Sequence, residues 1–227
     1  MKTVGILGGM GPEATARFFH RLVRLTPAER DQDHLPVLIY NLPQIPDRTE
    51  AVLGTGESPL PALIKAASVL TAGGADFISI PCNTAHFFYD ALQASTSIPI
   101  LHLIHCVRDR LAQAHPQARK VGLLATKGTI AARLYPDAFA DVRVEVIVPP
   151  EWAVNDLHAA IHRIKQGTLD ARFVQTLLDD LVEQGCEAVI LGCTELSLIA
   201  SELNSAVPIL DSIEILAQET VQRALTE

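Results

Sequence analysis

Two cysteines stand in matched settings in this chain. Cys82 follows the apolar run Ile78-Ser79-Ile80-Pro81 and leads into Asn83-Thr84-Ala85-His86, while Cys193 follows Val189-Ile190-Leu191-Gly192 and leads into Thr194-Glu195-Leu196. Each falls where a buried strand should give way to a helix, and the free N–H groups at a helix start favour a thiolate. A cysteine after an apolar strand is most often a small core residue. The polar residues directly behind these two, Asn83 and Thr84 in one case and Thr194 and Glu195 in the other, point instead to a pair of thiols facing across a site. Cys106, within the helical stretch Leu103 to Arg110, and Cys186, at a strand start, are assigned to the core.

Competing thiol chemistries lack their other parts. Zinc asks for three or four Cys, His or carboxylate ligands, commonly in close sequence pairs, and no CxxC pair is present, so no metal is expected. His86 stands four residues after Cys82, but the Gly-x-Cys-x-Gly form of a nucleophile elbow is missing. A phosphatase loop needs Arg six positions after Cys, where Phe88 and Ile199 stand.

Three further segments carry candidate ligand contacts. Gly8-Gly9-Met10-Gly11-Pro12 follows the first strand and opens a helix with proline near its first position. Its spacing differs from the G-x-G-x-x-G of dinucleotide sites, so backbone amides presented to a small anion such as a carboxylate are the better reading. Arg48 lies in a loop after the second strand, on the rim that carries Cys82, and Lys165 ends a helix. Both would matter if a carboxylate ligand needed a cationic partner.

The chain of 227 residues, 48% hydrophobic and 19% charged, is compact and globular, with room for one large α/β domain or two small ones. A net charge of −8 argues against nucleic acid and anionic membranes as partners. No run approaches the roughly 18 to 20 apolar residues of a membrane span, and no secretory signal precedes Thr3-Val4-Gly5-Ile6-Leu7. Reduced thiols in a cytoplasmic setting follow from the cysteine pattern.

Short apolar runs alternate with amphipathic stretches, which predicts strands and helices on mostly parallel sheets. Strands are expected near 3–8, 36–41, 75–81, 98–102, 119–125, 143–148, 187–192 and 207–210, and helices at Glu57 to Leu70, His86 to Gln93, Ala153 to Lys165, Phe173 to Gln184 and Ser212 to Ala224. The chain also repeats itself. Val4-Gly5-Ile6-Leu7-Gly8 is similar to Val121-Gly122-Leu123-Leu124-Ala125, and Ser97-Ile98-Pro99-Ile100-Leu101 to Ala206-Val207-Pro208-Ile209-Leu210. Gly5 to Cys82 spans 77 residues against 71 from Gly122 to Cys193. The fold expected is α/β, with two similar Rossmann-like (flavodoxin-like) halves related by a pseudo-twofold and a site in the cleft between them. The first half would be 1–103 plus 209–227, the second 104–208. Ligands of such sheets bind beyond the carboxyl ends of the strands, where both cysteines fall.

Together, the Gly8–Pro12 turn, Pro81-Cys82-Asn83-Thr84-Ala85-His86 and Gly192-Cys193-Thr194-Glu195-Leu196 resemble the aspartate/glutamate racemase superfamily, most closely its aspartate racemase branch. The resemblance implies an amino-acid racemase that needs neither pyridoxal phosphate nor any other cofactor, interconverts L- and D-aspartate, and forms a homodimer. Cys82 and Cys193 would be the acid/base pair on opposite faces of the substrate α-carbon. Met10, Gly11, Asn83, Thr84, Thr126 and Thr194 would cradle its carboxylate and amine, with Thr129 a weaker member. Arg48 and Lys165 match the basic pair of the aspartate branch. Glu195 replaces the histidine that follows Cys-Thr in the glutamate branch, which favours aspartate. Broad-specificity, glutamate or hydantoin racemisation are the alternatives within the superfamily, and a dicarboxylate-binding protein without turnover is the alternative outside it.

Overall fold

The structure, a computed structural model, describes residues 1–167 and 171–226. Its strands are β1 (Val4–Gly8), β2 (Val37–Asn41), β3 (Phe77–Ser79), β4 (Lys120–Ala125), β5 (Glu145–Ile147), β6 (Ala188–Gly192) and β7 (Ile209–Asp211). They form two parallel sheets, β2-β1-β3 and β5-β4-β6-β7. The continuous apolar runs of β1 and β6 are buried throughout, as parallel strands covered on both faces must be.

The helices are α1 (Pro12–Leu25), α2 (Arg48–Val52), α3 (Leu60–Ala72), α4 (Tyr89–Ala94), α5 (Leu103–Ala114), α6 (Lys127–Ala131), α7 (Leu134–Ala140), α8 (Glu151–Lys165), α9 (Arg172–Glu183) and α10 (Ser212–Leu225). They sort into layers through the alternation of strand side chains. Val4 and Ile6 of β1, Val121 and Leu123 of β4 and Ile190 of β6 face one shared core, filled by Phe18 and Leu22 of α1, Val107 of α5, Tyr135 and Phe139 of α7 and Leu216 of α10. Leu7 and Ile78 turn the other way, onto α3, and Leu124, Val189 and Leu191 onto α8 and α9. Each sheet is thus doubly wound, and the middle helix layer joins the halves.

Pairing register makes the internal repeat a physical equivalence. Gly5 pairs with Ile78 and Gly122 with Val189. Cys82 and Cys193 each stand four residues beyond those partners. Ile78 and Val189 in turn pair with Ile100 and Ile209. Both halves therefore run second-first-third-fourth, the flavodoxin-like order, in agreement with the sequence. Within the proposed division of the chain, β7 pairs with β6, so 209–211 join the second sheet, while α10 packs on α1 and α5.

One expected strand, 98–102, is reduced to the single bridge Ile78–Ile100. Side chains take the backbone groups that would extend the ladder. Gln93 Oε1 accepts from Ile100 N (2.7 Å), Tyr89 donates to Ile100 O (3.2 Å), and His86 Nε2 accepts from Leu103 N (3.1 Å). With Nε2 an acceptor, the His86 ring carries its proton on Nδ1 and donates it to Cys82 O (2.9 Å). The predicted helix from His86 is accordingly a 3-10 turn, Thr84–Phe88, followed by α4.

Burial holds His86 neutral, and burial followed by the neighbouring His86 and His105 pulls His102 down to about 3. Groups whose basicity is depressed on folding stabilise the folded state above their unfolded value of 6.5 and lose that contribution as pH falls through the folded value. Unfolding temperature is therefore expected to drop between pH 6.5 and pH 3. His102→Gln should flatten the drop, by about 1–2 kcal/mol once partial exposure of the ring is discounted.

Candidate active site

Loops after the carboxyl ends of both sheets enclose a cleft of about 400 Å³, at the small end of ligand pockets. Cys82, Asn83 and Thr84 reach it from beyond β3, Cys193, Thr194 and Glu195 from beyond β6, Met10 from beyond β1 and Thr126 from beyond β4. Arg48 and Lys165 line the same cleft. Gly11 is not in the wall but adjoins it, since a Cβ there would lie 3.6 Å from Glu195 Oε1. Cys106 and Cys186 are elsewhere: burial pushes the Cys106 thiol up to about 12, and Cys186 is packed in the α8–α9 core.

The glycine turn differs from its anion-cradle reading in one respect. Thr15 Oγ1 accepts from Gly9 N (2.9 Å) and donates to Gly11 O (2.9 Å), so the Gly9 amide is spent inside the turn. A side chain at Gly9, whose φ is +102°, would strike the Leu42 backbone at 2.4 Å.

Arg48 is not in a loop, as expected, but is the first residue of α2. Asp47 caps that helix, its Oδ1 accepting from Thr49 N (2.7 Å) and Glu50 N (3.0 Å), an interaction hidden by the shortness of the helix. Arg48 Nη1 donates to Ile45 O and Pro46 O, and its buried Nε has no partner among the described residues. A buried donor left unpaired is costly, so it points to a ligand acceptor. Asp47, Thr49, His158, Ile161 and His162 also line the cleft and were not singled out from sequence. For the α8 residues a signal existed: 158, 161, 162 and 165 recur at helical spacing, on the face of Lys165.

Asn83 is fixed from the other half of the molecule. Tyr135 donates to its Oδ1 (2.6 Å), and its Nδ2 donates to Ser212 Oγ (3.1 Å). Ser212 spends its own proton on Leu191 O (2.7 Å), so it must accept from Asn83, which sets the amide orientation and leaves one Nδ2 proton for the cleft. Tyr135→Phe leaves Oδ1 buried without its donor, and is expected to lower stability by about 1–3 kcal/mol in denaturant unfolding. Thr84, Thr126 and Thr129 close a triangle of hydroxyls with sides of 2.8 to 3.0 Å. Thr126 also caps α6 through Thr129 N.

The two thiols have different surroundings. Cys193 Sγ donates to Glu195 Oε2 at 3.0 Å, and Thr194 Oγ1 donates to the same oxygen at 3.0 Å. Burial, and then the Glu195 charge, raise the Cys193 thiol well above its ordinary value, with Lys165 opposing them. Lys165 Nζ lies 3.9 Å from Glu195 Oε1, a loose pair open to a ligand. Cys82 carries no such carboxylate contact among the described residues, its nearest ionisable partner being the His86 ring on its carbonyl.

A doubly wound pair of sheets with two equivalent cysteines on one polar cleft is the plan of a racemase, and the chain belongs to the Asp/Glu/hydantoin racemase family, whose model matches residues 7–220. It is 33% identical over 228 aligned residues to the broad specificity amino-acid racemase RacX of Bacillus subtilis, covering 98% of each chain. Among solved structures it is similar to the aspartate racemase of Picrophilus torridus, with a TM-score of 0.83 and 32% identity over 99% of this chain and 94% of that one. An aspartate racemase homologue from Pyrococcus horikoshii matches with a TM-score of 0.80 and 27% identity over 100% of both chains. Among the described residues no helix is long and apolar enough to cross a membrane.

Proposed function

We propose that this protein is a cofactor-independent amino-acid racemase that interconverts L- and D-aspartate, with Cys82 and Cys193 as its two acid/base groups. The observation that carries the reading is that both cysteines line one small cleft from equivalent register positions of the two halves. One thiolate takes the α-proton and becomes a thiol, the pair of electrons passes into the substrate carboxylate, and the opposite thiol returns a proton to the other face and becomes a thiolate. The reverse direction exchanges the roles.

The α-proton is far less acidic than a thiol, so the carbanion needs donors on the carboxylate and a site that sheds water. The free Asn83 Nδ2 proton, Thr84 and Thr194, with the amides of Met10 and Gly11, are the proposed cradle. Glu195 accepts the Cys193 proton when that residue must become a thiolate. Arg48 and Lys165 are the proposed partners of the second carboxylate, supported by the unpaired Arg48 Nε. A homodimer in the cytoplasm belongs to the same proposal.

A broad-specificity racemase is the second reading, favoured by the full-length match to the Bacillus subtilis enzyme. Purified protein incubated with single L-amino acids under reducing conditions, without added cofactor, separates them by chiral chromatography. D-aspartate as the dominant product supports the first reading, comparable D-isomers of several amino acids the second, and no D-isomer at all overturns both.

A further inference from the structure

His158 has no role in the proton transfers, yet it projects into the same cleft with a conspicuous vacancy. Its Nδ1 is buried and has no hydrogen-bond partner among the described residues, and its ring meets His162 edge-on at 4.7 Å. Arg48 Nε is unpaired in the same cleft. Two buried polar atoms left open on one cavity, one from each half of the chain, call for one ligand group that satisfies both.

Topology says which end of a ligand that is. The cysteines follow β3 and β6, whereas Arg48 follows β2 and His158 follows β5. In both sheets these are separated by the central strand, β1 or β4. Two strand spacings are about 9–10 Å, so the Arg48 and His158 side of the cleft is displaced from the thiol side by that order of distance at the backbone. A substrate whose α-carbon lies between the thiols would turn its side chain toward that end.

We propose that His158 determines specificity, its Nδ1–H and Arg48 Nε–H together binding the side-chain carboxylate of an acidic amino acid. The proposal rests on the thiols marking the α-carbon end. Neutral imidazole suits the task, because a second full cation beside Lys165 would be repelled, and Asp47 faces the same helix without demanding its proton. His162, one turn on, backs the ring.

The test is calorimetric binding of L-aspartate and L-alanine to His158→Ala and His158→Asn, alongside α-deuterium exchange into both amino acids in D2O. The ratio of aspartate to alanine affinity is expected to fall about 10- to 100-fold in His158→Ala, the effect of one lost hydrogen bond to a charge. Asn presents an N–H donor near the Nδ1 position and should recover part of the ratio. An unchanged ratio, or equal weakening of both ligands, overturns the proposal. Wild-type protein that binds aspartate without exchanging its α-hydrogen would overturn the racemase reading, while the affinity ratio would still judge His158.

Discussion

Cys82→Ser and Cys193→Ser are each expected to lower racemisation by about 10²–10⁴-fold, the range of a positioned acid/base group. The two losses should not multiply in the double variant, because inversion fails once either face is unattended. Serine keeps the size and loses the acidity, so unfolding temperature should barely move. Each single variant keeps one competent face, so it should still exchange the α-hydrogen of one enantiomer with solvent without inverting it, and the two variants should prefer opposite enantiomers. Cys106→Ser and Cys186→Ser should retain activity, as neither thiol reaches the cleft. Chiral chromatography with α-deuterium analysis on all four variants reads every part of this expectation, and equal activity in the four would remove the assignment.

Glu195→Gln is expected to have the next largest effect. Glu195 is buried, accepts from the Cys193 thiol, and is the largest cause after burial of the upward push on that thiol. Glutamine keeps an acceptor oxygen but removes both the charge and the site for a proton. The Cys193 pKa should therefore move down toward its ordinary value. In the direction where Cys193 is the acid, activity is lost as pH rises through that pKa; in the direction where it is the base, activity is gained. Both limbs should shift to lower pH in Glu195→Gln, with kcat lower by about 10²-fold. A lowered rate with unmoved limbs would reduce Glu195 to packing and positioning.

The plan of two parallel halves was legible because it rests on burial. Residues covered on both sheet faces must be apolar, and the repeated landmarks Gly5, Cys82 and Pro99 against Gly122, Cys193 and Pro208 kept their spacing. What escaped was local and side-chain driven. The strand at 98–102 failed because Gln93, Tyr89 and His86 claimed its backbone groups, and such competition has no periodic signature. Helices α2, α6 and α7 are five to seven residues long, too short for an amphipathic pattern, and α7 contains Pro136 in its first turn.

The site followed the same rule. Residues adjacent to a strand end, such as Asn83, Thr84 and Thr126, could be placed on the cleft from their position alone. Tyr135 and Ser212, which orient Asn83, lie 52 and 129 residues from it and became visible only when the halves were packed. His158 and His162 were within reach of sequence reasoning, since Lys165 on the same helix face had already been picked out.

The central claim is that two thiols work on opposite faces of one α-carbon. L-aspartate turned over in D2O by the wild-type protein, stopped at a few per cent conversion and analysed for deuterium in each enantiomer, tests it most directly. The account predicts D-aspartate carrying deuterium at the α-carbon from the first turnover, while the remaining L-aspartate stays almost entirely protiated. Equal labelling of both enantiomers, or D-aspartate that retains the original hydrogen, would mean a single base serves both faces and would contradict it.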